Sequence, residues 1–136
     1  MTATINTQVG HGHLVIDLVG SALTNDMGNV LNPEGVACVI TGAMLYVEHA
    51  GVATSDLHIG IGAASTGVAQ NDVGDNVPVD LTAGHVQNLV HPTAANTELT
   101  VPAIWHATDY LTFFVDTALS TGFIGKLFVD YIRLTD

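Results

Sequence analysis

Two long segments, Val36–Glu48 and Gly122–Leu134, carry apolar residues at both odd and even positions, and this narrows the possible folds more than any other feature. In the second, Leu127, Val129 and Tyr131 share one parity while Phe128, Ile132 and Leu134 share the other. In the first, Cys38, Ile40, Met44 and Tyr46 stand against Val39, Leu45 and Val47, with Gly42 between them as the expected bulge or bend. Successive side chains of an extended strand point to opposite faces. A sheet with one wet side would therefore show a polar parity in each segment. A single domain of 136 residues has one core, which takes one of the two faces. The other face needs a second covering surface, most simply a further copy of the chain.

The remaining pattern is also that of strands. Val, Thr and Ile make up 41 residues, and β-branched side chains suit a pleated, half-buried surface. Period-2 alternation runs through His13–Val19, Leu57–Ala63, Val77–Leu81, Glu98–His106 and Tyr110–Asp116. Pro78 and Pro102 fall within such runs and are expected at sheet edges or bulges, since proline donates nothing to a ladder. Thr24–Asn29, Asn32–Gly35 and Gln70–Asn76 are rich in Asn, Asp, Gly and Pro and read as turns. Ser21–Leu31 has room for at most a helical turn before Gly28, and no convincing helical period of eleven residues occurs elsewhere. The expectation is an all-β, single-domain jelly roll or β-sandwich of about seven or eight strands over residues 10–136. Residues 1–9, polar and Thr-rich, read as an N-terminal arm.

Charge excludes several classes of partner. Lys126 and Arg133 are the only basic residues against thirteen acidic ones, for a net charge of −11. Phosphate backbones and anionic membranes are bound by clustered Lys and Arg, so neither nucleic acid nor a membrane surface is an expected partner. The apolar runs reach five residues, too short for a membrane helix, and the opening shows no basic n-region of a secretory signal. One cysteine, Cys38, leaves no disulfide framework and no thiolate zinc cage within one chain.

Candidate chemistry is sparse. His11 and His13 form an H-x-H pair whose imidazoles share a face on a strand, the spacing of a cupin metal site. The downstream Glu and third His of such a site have no clear counterpart, and Gly10 and Gly12 make turn or arm histidines the simpler reading. Cys38 sits inside an apolar strand, where a thiol behaves as a small hydrophobe. Ser21, Ser55, Ser65 and Ser120 adjoin turns, and none occupies a nucleophile elbow. The carboxylate pairs open to acid–base work are Asp72 with Asp75, and Asp116 with Asp130. Asp72 and Asp75 default to turn formation, with a loose Ca²⁺ site as the alternative. A sugar site would draw on Tyr46, Trp105, Tyr110 and Tyr131, although Trp105 is in phase with Leu99 and Val101 and reads as core. Gly60-Ile61-Gly62 opens no helix and is no dinucleotide fingerprint. No active site and no cofactor are expected.

The run Val52–Ala64, the Asn/Asp-rich loop after it, Val79-Asp80-Leu81-Thr82-Ala83-Gly84 and the closing Gly122–Leu134 resemble small virion proteins of tailed bacteriophages. Asn32-Pro33-Glu34-Gly35 leading into the long strand is similar too. The resemblance spans about residues 32–134 and lies in the texture of strands and turns. It implies a capsid decoration, or cement, protein: a jelly-roll homotrimer, made in the host cytoplasm, whose partner is the major capsid protein on the outer face of the virion shell. Within the arm, Thr2, Thr4, Ile5, Asn6 and Val9 would then be the residues that meet a neighbour or the shell. A lectin-like module of a phage tail or fibre and a small cupin-like metalloprotein with His11 and His13 as ligands are the two alternatives.

Overall fold

The computed structural model describes residues 11–63, 73–79, 84, 86–88, 103–116 and 118–134. These form nine strands: β1 (His11–Val19), β2 (Asp26–Leu31), β3 (Cys38–His49), β4 (Asp56–Gly62), β5 (Gly74–Pro78), β6 (Val86–Asn88), β7 (Ala103–Trp105), β8 (Tyr110–Asp116) and β9 (Ile124–Arg133). Among the described residues there is no helix, and so none long and apolar enough to cross a membrane. Every strand pairing is antiparallel.

The protein is an all-β sandwich of two sheets. One runs β1-β9-β3-β6, with β7 also paired to β3; the other runs β2-β8-β4-β5. Read position by position, the two orders hold chain neighbours: β1 with β2, β9 with β8, β3 with β4, and β6 with β5. That is the winding of a jelly roll, in which one long ribbon of paired strands folds across two sheets. Short β7 and β6 take successive stretches of the same edge of β3, at Cys38–Ile40 and Met44–Tyr46.

The core lies between the sheets. Leu127, Val129 and Tyr131 of β9, Leu45 and Val47 of β3, Leu57 and Ile59 of β4, and Leu111, Phe113 and Val115 of β8 are all buried there, with Trp105 and Phe123 as its largest further side chains. Each such side chain contributes about 1.5–3 kcal/mol when fully buried. Trp105 donates its indole N–H to the Asp109 carbonyl at 2.9 Å and meets the Tyr131 ring edge-on, with centroids 6.5 Å apart. Tyr131 in turn lies over Gly12, its partner across the β1–β9 ladder; a Cβ there would stand 2.1 Å from the ring. Only glycine leaves room for this aromatic cross-strand cover.

Three local expectations change. Val36–Glu48 is a strand with its irregularity between Ile40 and Gly42, as the glycine suggests, but the extra residue also switches the parity. Cys38 and Ile40 point inward before the bulge, and Ala43, Leu45 and Val47 do so after it. Met44 and Tyr46 therefore leave the core parity on which strict alternation placed them. Ser21–Leu31 contains no helical turn: its second half is β2, where Gly28 takes φ 111° at a register shift and donates its N–H to Asp26 Oδ1. The turn chemistry is absorbed in a bulge rather than ending the strand. β5 likewise begins at Gly74, inside the expected turn Gln70–Asn76. Pro78 is on β5, at the edge of its sheet, as expected.

Candidate functional site: the outer face of the β1–β9–β3 sheet

The ladders fix which residues share the face turned away from the core. Across β1, β9 and β3 the directly paired residues form successive rows. His11, Ile132 and Val39 make the first; His13, Asp130 and Gly42 the second; Val15, Phe128 and Met44 the third; Asp17, Lys126 and Tyr46 the fourth; Val19, Ile124 and His49 the fifth. Ile104 of β7 extends the first row beside Val39, and Val86 of β6 extends the fourth beside Tyr46.

The face is thus banded, apolar rows alternating with polar ones. Phe128 is 37% exposed, Met44 42% and Val15 59%. Of the eleven exposed large hydrophobics among the described residues, seven (Val15, Val19, Met44, Val86, Ile104, Ile124 and Phe128) are on this one face. Isolated exposed apolar residues are ordinary; here seven gather on one sheet face, in rows parted by polar ones. The polar rows carry two ion pairs, His13 Nδ1 with Asp130 Oδ1 and Lys126 Nζ with Asp17 Oδ1, both 2.5 Å long. The hydrogen bond to Asp17, together with its charge, raises the Lys126 ammonium pKa.

One end of the sandwich holds a polar cluster that sequence reading missed. Tyr131 donates its hydroxyl to Glu34 Oε1 at 2.5 Å, and Arg133 Nε stands 3.3 Å from Glu34 Oε2. Burial, and then the hydrogen bond to Glu34, push the Tyr131 phenol up to about 12. Beside them Asn32 Nδ2 donates toward the carbonyls of Val36, Trp105 and His106. The signal available was Arg133, one of two cations in the chain, at the end of an apolar-rich strand; its partner lies 99 positions away in Asn32-Pro33-Glu34-Gly35.

The residues singled out by type are scattered. His13 faces outward and is engaged by Asp130, while His11 opens β1 opposite Ile132. Among the described residues no three His, Cys, Asp or Glu side chains gather as a metal site would require. Asp116 and Asp130 do not converge: Asp116 lies on β8, 2.8 Å from His58 Nε2, and Asp130 on β9 in the opposite sheet. Trp105 and Tyr131 are buried in the core, and Tyr46 and Tyr110 lie on different sheets, so these four aromatics form no common sugar platform. Cys38 is buried, and desolvation raises its thiol pKa, which disfavours the thiolate. Ser55 and Ser120 are buried too, Ser55 Oγ within 2.9 Å of the Asp116 carbonyl and 2.7 Å of that of Ala118. Ser120 Oγ accepts from the Ser21 N–H, and Ser21 Oγ from those of Leu23 and Thr24. These hydroxyls hold turns together. Asp75 is on β5. Thr2, Thr4, Ile5, Asn6, Val9, Ser65 and Asp72 lie outside the described residues. No known family, no curated protein and no solved structure matches the chain.

Proposed function

We propose that this is a non-enzymatic structural protein that works as a homo-oligomer, a decoration protein that binds the outer surface of a virion shell. The observation that carries the reading is the concentration of exposed apolar side chains on one sheet face. A domain whose core is already filled with Trp105, Phe113, Phe123 and their neighbours keeps a second apolar surface only where another surface covers it. The acidic balance of the chain keeps such a surface soluble before assembly. An oligomer of this kind stabilises a shell by mass action, because it binds the assembled lattice alone. Several weak contacts on one rigid oligomer then combine through effective concentration. Residues 1–9, ahead of edge strand β1, are the proposed shell-contacting arm.

The test is co-sedimentation of the purified chain with shells of the phage that encodes it. Retention at a fixed stoichiometry, with a higher shell melting temperature, supports the reading. Shells that neither retain the chain nor gain stability overturn it. Deleting residues 1–9 should leave a folded oligomer with weaker retention; unchanged retention removes the arm from the account.

A further inference from the structure

We propose that the outer face of the β1–β9–β3 sheet pairs with the same face of a second copy of this chain, the two β9 strands stacked antiparallel about Phe128. The inference rests on the chain being an assembling protein and adds the surface, the symmetry and the register.

The order of the rows carries it. The bands are symmetric about the apolar row of Val15, Phe128 and Met44: a polar row flanks it on each side, and beyond each lies an isoleucine-centred row with one histidine, His11 in the first and His49 in the fifth. Place two such faces together with the two-fold axis in the interface and perpendicular to the strands. The central row then meets its own copy, Phe128 on Phe128. The row of His13 and Asp130 meets the row of Asp17 and Lys126, so that Asp130 lies opposite Lys126 and His13 opposite Asp17. Ile132 lies opposite Ile124. Gly42, which has no side chain, lies opposite Tyr46, the bulkiest residue of the fourth row. Every relation away from the axis occurs twice, as a two-fold interface requires.

The other face-to-face two-fold, with its axis along the strands, lays each row on itself. Asp130 then meets Asp130 and Lys126 meets Lys126, and like charges across an interface select against that arrangement. Stacked sheets pack about 10 Å apart and within about 30° of alignment. A lysine opposite an aspartate spans that gap favourably, whereas two aspartates, or two lysines, set on each other repel. A ring of three instead uses two different patches on each copy, which leaves this self-complementary face unmatched.

The experiment is the mass in solution of the full chain, by light scattering over a wide range of concentration. The expected species is a dimer, twice the 14.1 kDa of one chain. Phe128→Asp sets two carboxylates against each other at the centre and should raise the dissociation constant by roughly a hundredfold. Lys126→Glu places like charges opposite each other twice and should raise it by roughly tenfold, and adding Asp130→Lys should bring most of that back. Circular dichroism confirms that the strands of each variant persist; if Phe128→Asp does not fold, the charge reversal and its rescue decide alone. A monomer at every concentration, a trimer, a dimer indifferent to Phe128→Asp, or a charge reversal without rescue overturns the pairing. A trimer that still sediments with shells would leave the shell-binding reading standing. A dimer that ignores shells would do the reverse.

Discussion

The two sheets share a core yet finish their outer faces differently. On β1, β9 and β3 the outward residues of the central row are Val15, Phe128 and Met44, all exposed. On β4 and β8 the outward residues include His58, Thr112 and Asp116, and here His58 and Thr112 are buried. His58 pairs with Asp116, and the Thr112 hydroxyl donates to the Gly60 carbonyl at 3.3 Å. On the second outer face, polar His58 and Thr112 are withdrawn from water within a single chain, beside half-buried Phe114. On the first, the apolar row of Val15, Phe128 and Met44 is left in water between polar rows. Hydrophobic residues alone do not distinguish a core from an interface, because both sets occur on the same strand: Leu127 and Val129 inward, Phe128 outward.

The sharpest way to break this comparison is to truncate one phenylalanine on each side of it. Phe113 fills the core between the sheets, and Phe113→Ala should cost about 3–5 kcal/mol of monomer stability through lost transfer energy and a residual cavity. Phe128→Ala should cost the monomer less than about 1 kcal/mol, since its ring already stands partly in water. Urea unfolding at low protein concentration measures both. Equal losses would mean that Phe128 is core and that the outer face is no separate surface.

A second test uses β9 again, at Tyr131. Its phenol is buried and pushed up to about 12, against an ordinary value of 10.0. A group whose folded-state pKa is raised stabilises fully below its unfolded value and loses that contribution as pH climbs through the folded one. Tyr131 therefore supports the fold up to about pH 10 and gives up about 2–3 kcal/mol by about pH 12. Unfolding of wild type and Tyr131→Phe across that range isolates the effect, because Cys38 and Lys126, which also titrate upward of their usual values, are common to both. Parallel curves would show that the ring at this end of β9 is as open to water as Phe128.

What the sequence made legible follows the same division. Alternation located the inward residues of β1, β4 and β8, because burial of one parity is a local property of an extended chain, whereas β9, apolar at both parities, left its inward face open. The two-faced segments pointed to a second buried surface, and Gly42 marked a bulge. The sequence did not say what the bulge does. One extra residue between Ile40 and Gly42 moves Met44 and Tyr46 from the core parity to the outer face, and only the ladder with β9 reveals that shift. β2 was hidden by Asn25, Asp26 and Gly28, which serve a strand bulge as readily as a turn. The strand order, and hence the row that joins Val15 to Phe128 and Met44, depends on pairings between residues more than eighty positions apart, for which one sequence carries no local signal.

The smallest expected effect compares two pairs of the same chemistry on the two outer faces. His13 and Asp130 form an ion pair with side chains 78% and 59% exposed; His58 and Asp116 form one with side chains 11% and 46% exposed. Water screens the first pair and competes for its hydrogen bond, so His13→Ala should change monomer stability by less than about 0.5 kcal/mol. The imidazole of His58 has given up its hydration, and His58→Ala leaves its polar surroundings to be satisfied afresh, at a cost of about 1–3 kcal/mol. Urea unfolding of the two variants, each beside its aspartate counterpart Asp130→Ala or Asp116→Ala, gives both differences. A His13→Ala loss as large as that of His58→Ala would place His13 in a covered environment within one chain. The polar row beside Phe128 would then already be sealed, with nothing left for a second copy to bury.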